Sequence, residues 1–259
     1  MITLLTDFGT TDYFVPAVKS VIHSLCPQVA MVDLTHDIEA QDVLGAAFTL
    51  AACYQSFPAG TIHLAVVDPG VGSDRRGIVV EAKRQYFVGP DNGIFSFVYA
   101  REKSCRVFEL TQKEFFRQPV SPTFHGRDVF APIAAWLAKG ITPEAVGVEI
   151  FDPVTLHSPV PEQKENGCVG QIIHIDHFGN CITNLTLAEL AYHSITPRTR
   201  LHLAGQSIQR FGTHFSEAPD SDELQAYLGS AGYWEIALWQ NSAARTLEVR
   251  RGDVISLQY

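Results

Sequence analysis

The sequence predicts an α/β N-terminal domain, a mostly parallel sheet with helices on both faces, followed by a small all-β, barrel-like C-terminal domain. Three observations carry this. Up to about residue 150, short apolar runs alternate with amphipathic stretches of helical period, the pattern of strand–helix–strand units with right-handed crossovers. Residues 151–166 (FDPVTLHSPVPEQKEN) are rich in Pro and Glu and read as extended linker. Beyond Gly167 only short runs remain, punctuated by Gly and Asn, as in barrels. The expected division is 1–152, a linker at 153–166, and 167–259.

Taken in order, Ile2–Thr6 is a buried strand meeting a loop at Asp-Phe-Gly. Tyr13–Leu25 places Phe14, Val18, Val21, Ile22 and Leu25 on one helical face, with Thr11 or Asp12 as cap and Pro27 as stop. Val29–Leu34 is a second strand, and Gln41–Phe57 an Ala-rich helix ended by Pro58-Ala59-Gly60. Strands follow at Thr61–Val67, Gly77–Ala82 and Tyr86–Val88, and helices at Ile94–Ala100 and Val129–Lys139. The second half offers strands at Val169–Asp176, Cys181–Asn184, Arg200–Leu203, Gly232–Leu238 and Val254–Leu257. Brief helical segments are expected near Leu187–Tyr192 and Asp222–Leu228.

Composition excludes several classes. With 46% hydrophobic and 18% charged residues among 259, the chain is no disordered segment. A net charge of −9 without a basic block argues against nucleic acid as partner. The longest apolar run, Leu44 to Cys53, is far below the ~20 residues that cross a bilayer. Neither a basic n-region nor an A-x-A site marks the opening MITLLTDFG, so no signal peptide is expected. Five scattered cysteines, with no C-x-x-C, fit buried thiols in a reducing cytoplasm.

Ligands of open α/β sheets sit beyond the carboxyl ends of the strands, which selects TDFGTTD at 6–12, DLTHD at 33–37, VDPGVGSDRR at 67–76 and GPDNG at 89–93. Asp7 can accept both hydrogen bonds of a vicinal diol, or simply bond its own loop. Asp12 is a helix cap or a ligand. Asp33, His36 and Asp37 resemble the start of a metal site, but no matching second cluster follows, so no metal is expected. Pro69-Gly70 and Gly72 bend the chain so that Arg75 can fold back on Asp68, as a structural ion pair or as part of a site. His125, in FHGRD, precedes a helix with Asp128 in its first turn. In IDHFGN, Asp176 ends a strand, while Phe178 and Asn180 can stack on and bond a flat heterocycle or merely form a turn. GSAGYWEIALWQN offers Ser230 and two tryptophans, core packing first and pocket second.

TDFGTTD, VDPGVGSDRR, GPDNG, FHGRD, IDHFGN and GSAGYWEIA occur together in this order from Thr6 to about Asn241. The set resembles the S-adenosyl-L-methionine hydroxide adenosyltransferase family, water-using relatives of the fluorinases and chlorinases. The resemblance implies hydrolysis of S-adenosyl-L-methionine to adenosine and L-methionine, without a further cofactor. It also implies a homotrimer whose substrate lies between one subunit's first domain and its neighbour's second. By the same resemblance Asp7 holds the ribose diol. Asp12, Asp176 and Ser230 hold the methionine end, Phe178 and Asn180 the adenine, aided by backbone near Leu238–Asn241. Asp68, Arg75 and His125 form the triad that positions and activates water.

Two departures stand out: Phe14 replaces a serine that some relatives use at the methionine end, and Gly126 replaces the serine with which halogenases help hold halide. Arg76 beside Arg75 leaves a one-residue shift of the arginine open. Two rivals predict different products: a halide-dependent synthase yields a 5′-halogenated nucleoside, and a non-catalytic nucleoside sensor releases no adenosine.

Overall fold

The computed structural model describes residues 1–156, 160–214 and 223–259, which fall into two units, Met1–His157 and Ser158–Tyr259. In the first unit, β1 (Ile2–Thr6) is buried throughout and runs parallel to both its neighbours, β2 (Met31–Thr35) and β3 (Ile62–Val66). The remaining elements are α1 (Phe14–Leu25), α2 (Val43–Cys53), β4 (Gly77–Ala82), β5 (Gln85–Pro90), α3 (Ser96–Arg101), β6 (Cys105–Leu110), α4 (Ala131–Ala138), α5 (Pro143–Val146) and β7 (Gly147–Ile150). The sheet order is β2-β1-β3-β5-β4-β6-β7.

Five of the seven strands point one way; β4 and β7 run against them. The parallel pairing read from the strand–helix spacing therefore holds for β2, β1, β3 and β5, and fails where a helix is missing. Only Lys83 and Arg84 separate β4 from β5, both at positive φ (49° and 62°). A two-residue turn of that hand closes a hairpin, whereas a parallel pair needs a long crossover.

Alternating strand residues serve opposite faces. Ile2, Leu4, Ile62, Leu64 and Val66 pack with Val18 and Ile22 of α1 and with Ile133 and Ala134 of α4. On the other face His63 stacks on Phe87, 4.9 Å between centroids, with Tyr54 and Phe57 at the edges. Helix α1 starts one residue later than read. Its N-cap is Tyr13, at φ −79° and ψ −2°, with no side-chain capping bond. Neither Thr11 nor Asp12 caps it, because a capping side chain needs an extended N-cap backbone.

The second unit is strand-built: β8 (Glu162–Lys164), β9 (Gly167–Ile175), β10 (Cys181–Thr183), β11 (Arg200–Leu203), β12 (Gln206–Ile208), β13 (Arg210–Phe211), β14 (Leu224–Leu228), β15 (Trp234–Leu238) and β16 (Val254–Gln258), with one short α-helix among the described residues, α6 (Ala243–Leu247). The path β12-β11-β16-β9-β10-β15-β14-β13 curls until β12 touches β14, a nearly closed barrel-like sheet around Ile172, Leu185, Leu201, Trp234, Ile236 and Ile255. Of the two helical segments expected here, the first is a 3₁₀ turn at Tyr192–Ser194. In the second, Asp222 lies outside the described residues, and Leu224–Leu228 is strand β14, paired along its length with β15.

Candidate active site

Thr6 and Val66 are register partners at the carboxyl ends of β1 and β3, so Asp7 and Asp68 emerge side by side. The loop after β3 turns tightly, with Val71 N donating to the Asp68 carbonyl (3.2 Å) and Ser73 N to that of Gly70 (3.1 Å). Gly72 has φ +80°, and a Cβ there would lie 2.4 Å from the Pro122 carbonyl oxygen, so the loop seats against residue 122 only with glycine.

That bend returns Arg75 onto Asp68. Arg75 Nε donates to Asp68 Oδ1 (2.8 Å), Nη2 donates to Oδ2, and Nη2 also donates to His125 Nδ1 (2.9 Å). The paired side chains are only 11% and 6% exposed, and the guanidinium lies over the buried Phe130 ring at 5.1 Å. The one-residue ambiguity is resolved at the level of contacts: Arg76 turns to Asp91 (2.8 Å) and Asp152 (2.8 Å).

A guanidinium has donors only, so His125 Nδ1 must accept. The imidazole is then neutral with its proton on Nε2. Burial, and next the Arg75 charge, hold its pKa below the ordinary histidine value, against the opposing pull of Asp68 and Asp128. His125 stands at the head of a π-helical turn, Gly126–Phe130. Asp128, fully buried, braces it by accepting from Arg127 (2.7 Å), Arg117 (2.9 Å) and Ser121 N (2.9 Å).

Asp7, Asp68 and His125 line one cavity of about 410 Å³. Through Oδ2, Asp7 takes the amide of Gln41 (2.9 Å) rather than one of its own loop, and Gln41 holds positive φ, 68°. Phe8, Phe14 and Phe124 form the apolar wall, with centroids 5.2–6.0 Å apart. A side chain begun at Gly126 would start 3.3 Å from Phe8 Cζ, so glycine there lets the rings close. Asp12 is exposed and outside this lining.

A second cavity, of about 470 Å³, belongs to the barrel unit. Phe178, Asn180 and residues 238–242 line it together with Arg245, which unites the expected adenine-side group. Asp176 is spent largely on its own turn: Oδ1 accepts from Phe178 N (2.9 Å) and Asn180 N (2.8 Å), Oδ2 from Asn180 Nδ2 (2.8 Å). The turn leaves Phe178 74% exposed. Of the two tryptophans, Trp234 is core and Trp239 lines the cavity. Ser230 is exposed on the Gly229–Gly232 turn, outside the lining. Near that turn Glu235, raised to about 7 by burial and then by Asp176, is an acid the sequence reading missed. Gln41 and Arg245 were missed too, lying in stretches without a recognisable motif.

Asp33 pairs with Lys19 (2.6 Å) and lies 3.1 Å from His36, whose Nδ1 bonds Thr6 Oγ1 (2.8 Å). Among the described residues no three His, Cys, Asp or Glu side chains are grouped to hold a metal.

Residues 2–147 match the model of the SAM hydroxide adenosyltransferase N-terminal domain, and residues 170–256 that of its C-terminal domain. The chain belongs to the SAM hydroxide adenosyltransferase family. Among family relatives, it is 37% identical to the (R)-S-adenosyl-L-methionine hydrolase of Thermus thermophilus over 98% of this chain and 97% of that one. It is 32% identical to the enzyme of the same name from Methanocaldococcus jannaschii, over 100% and 96%. A fluorinase of Nocardia brasiliensis is more distant, 27% over 100% and 96%. The crystal structure of an uncharacterized conserved protein from Thermotoga maritima superposes with TM-score 0.93 at 33% identity, covering both chains fully. Among the described residues, no helix of this family member is long and apolar enough to cross a membrane.

Proposed function

We propose that this family member hydrolyses S-adenosyl-L-methionine to adenosine and L-methionine by in-line attack of water or hydroxide on the ribose 5′ carbon. The observation that carries the reading is a single guanidinium bonded to both the Asp68 carboxylate and His125 Nδ1, beside a cavity that also holds Asp7. Relatives named (R)-S-adenosyl-L-methionine hydrolase along nearly the whole chain support it.

As the C5′–O bond forms, the C5′–S bond breaks and its electron pair stays on sulfur, so methionine leaves as a neutral thioether. With hydroxide, the charges of nucleophile and sulfonium cancel. With water, the attacking oxygen releases one proton to solvent as the C5′–O bond forms. In either case positioning is the main demand on the protein. In-line geometry can supply roughly 7–11 kcal/mol. His125 meets that demand as a donor: Nε2–H holds the attacking oxygen, while a proton taken up at Nδ1 would displace Arg75. The Asp68–Arg75 pair leaves little net field against the sulfonium. In this reading Asp7 takes the ribose diol, Phe178 and Asn180 the adenine, and Asp12, Asp176 and Ser230 the methionine end. Residues 1–152 act as the nucleoside-binding and catalytic domain and 167–259 as the C-terminal barrel domain, joined by 153–166.

The active assembly is a homotrimer in which a neighbour's barrel unit completes the site. Its support is the division of labour between two cavities, nucleophile and ribose groups in one, the base platform in the other. Mixing Asp68→Ala and Phe178→Ala chains should then restore part of the activity that each lacks.

Reaction in oxygen-18 water tests the chemistry. Label in the adenosine 5′-hydroxyl is expected; unlabelled adenosine, or a 5′-halogenated product when chloride is present, would overturn it.

A further inference from the structure

None of the GPDNG residues, 89–93, lines either cavity, yet both ends of the Asp68–Arg75 loop are fastened to this corner. At the entry, Asn92 Nδ2 donates to the carbonyl of Val67 (2.8 Å), the residue just before Asp68, while Asn92 Oδ1 accepts Ile94 N (3.2 Å). At the exit, Asp91 N donates to the Arg76 carbonyl (2.9 Å). That same carbonyl accepts Nη1 of Arg75 (3.3 Å), so the amide of Asp91 fixes the oxygen against which the guanidinium rests. The Asp91 carboxylate, 1% exposed, takes the Arg76 side chain at 2.8 Å and the amide of Val154 at 2.8 Å. Gly89 makes the approach possible, since a Cβ there would stand 2.2 Å from the Ala65 carbonyl oxygen.

A two-pronged guanidinium–carboxylate contact tolerates little lateral error, and residues 68 and 75 sit on a loop with no sheet partner of its own. We propose that Asp91 and Asn92 form a positioning clamp that sets the spacing of Asp68 and Arg75, and with it the aim of His125; the inference rests on the reading of these three as the water-positioning group. Neither residue touches substrate. Both act through the ends of the loop.

The test is Asn92→Ala in the full chain. Turnover of S-adenosyl-L-methionine should fall on the order of 10- to 100-fold, with KM and adenosine affinity changed less than about twofold, as expected when reacting groups are displaced by a fraction of an ångström to an ångström. In an Asp68→Ala background the same substitution should cost almost nothing, because the two act as a unit. The His125 imidazole, followed by NMR titration, should move up toward the ordinary histidine value as Arg75 withdraws. A folded Asn92→Ala chain with wild-type turnover and an unmoved titration would overturn the clamp, as would equal losses with and without Asp68. If the alanine chain does not fold, Asn92→Ser is read by the same criteria. Should the wild-type chain release no adenosine, the hydrolase reading falls, and the His125 titration alone still decides the clamp.

Discussion

The two cavities use an aspartate in opposite ways. Asp68 is held from outside its own turn by a cation seven residues on, and the same cation reaches His125, so charge is gathered at the cavity wall. Asp176 is consumed by the backbone and side chain of the next four residues, so what faces outward is the exposed Phe178 ring. The first arrangement fixes charged and titratable groups against each other and suits bond-breaking. The second fixes a shape and suits recognition of a flat ring. Local sequence shows nothing of this difference, since both aspartates end a strand before a glycine-containing turn.

The strongest way to break the contrast is at the charged side. His125→Ala and Asp68→Ala should each lower turnover about 10²-fold or more while largely sparing affinity; adenosine release at saturating substrate, followed by chromatography, checks this. Wild-type rates would strip the first cavity of its chemical role.

The fold around that cavity has its own titration, separable from catalysis. His63 is fully buried among aromatic rings, and burial drops its pKa to about 4. The unfolded chain binds this proton near pH 6.5 and the folded chain only near 4. Stability should therefore fall as pH drops through that window, by about 3 kcal/mol from this group. Urea melts across the window measure it, and His63→Phe should flatten the dependence.

On the recognition side, Asp7→Ala should weaken binding of adenosine, and Asp176→Ala binding of S-adenosyl-L-methionine but not of adenosine, each about 10- to 100-fold through loss of charged hydrogen bonds worth ~1.5–3 kcal/mol. Calorimetry with adenosine and with S-adenosyl-L-methionine distinguishes them from the triad variants, which should bind both normally. If Asp176→Ala instead abolished turnover at saturation, the barrel-unit turn would belong to the chemistry.

The smallest effect concerns pH. The proposed mechanism uses His125 neutral, and burial with Arg75 lowers its pKa, so the acid limb of kcat/KM should lie below about pH 6.5. A limb above that value would mean the imidazole is stabilised in its charged form and that Nδ1 does not accept from Arg75.

Much of the fold is legible in the chain. The run Ile2–Thr6 is strand β1 to the residue, and Gly77–Ala82 and Arg200–Leu203 likewise match β4 and β11. Strand β14 was misread because Glu, Leu, Gln and Ala favour helices, and its pairing with β15, Tyr227 against Glu235, overrides that preference. Strand β6 was missed because Arg106 and Glu109 break its apolar character; Arg106 is exposed and pairs with Glu81, Glu144 and Glu149. For the site, Asp68, Arg75 and His125 could be named from the order of motifs, since a separation of 7 and 50 residues has no local signature. Gln41 and Glu235 had none either, because their placement follows from a positive φ and from strand register, both tertiary outcomes.

The chain leaving the first unit does not start out free. Asp152 is bound by Arg76, Val154 by Asp91 and Leu156 by Ser96, whose hydroxyl oxygen takes its amide at 2.7 Å. A Cβ on Gly93 would meet Leu156 at 2.5 Å. Anyone grafting a foreign barrel onto this first unit must therefore splice downstream of Leu156; a junction placed at the apparent end of the last strand, near Ile150, would unpick the loop of Asp68 and Arg75 from behind.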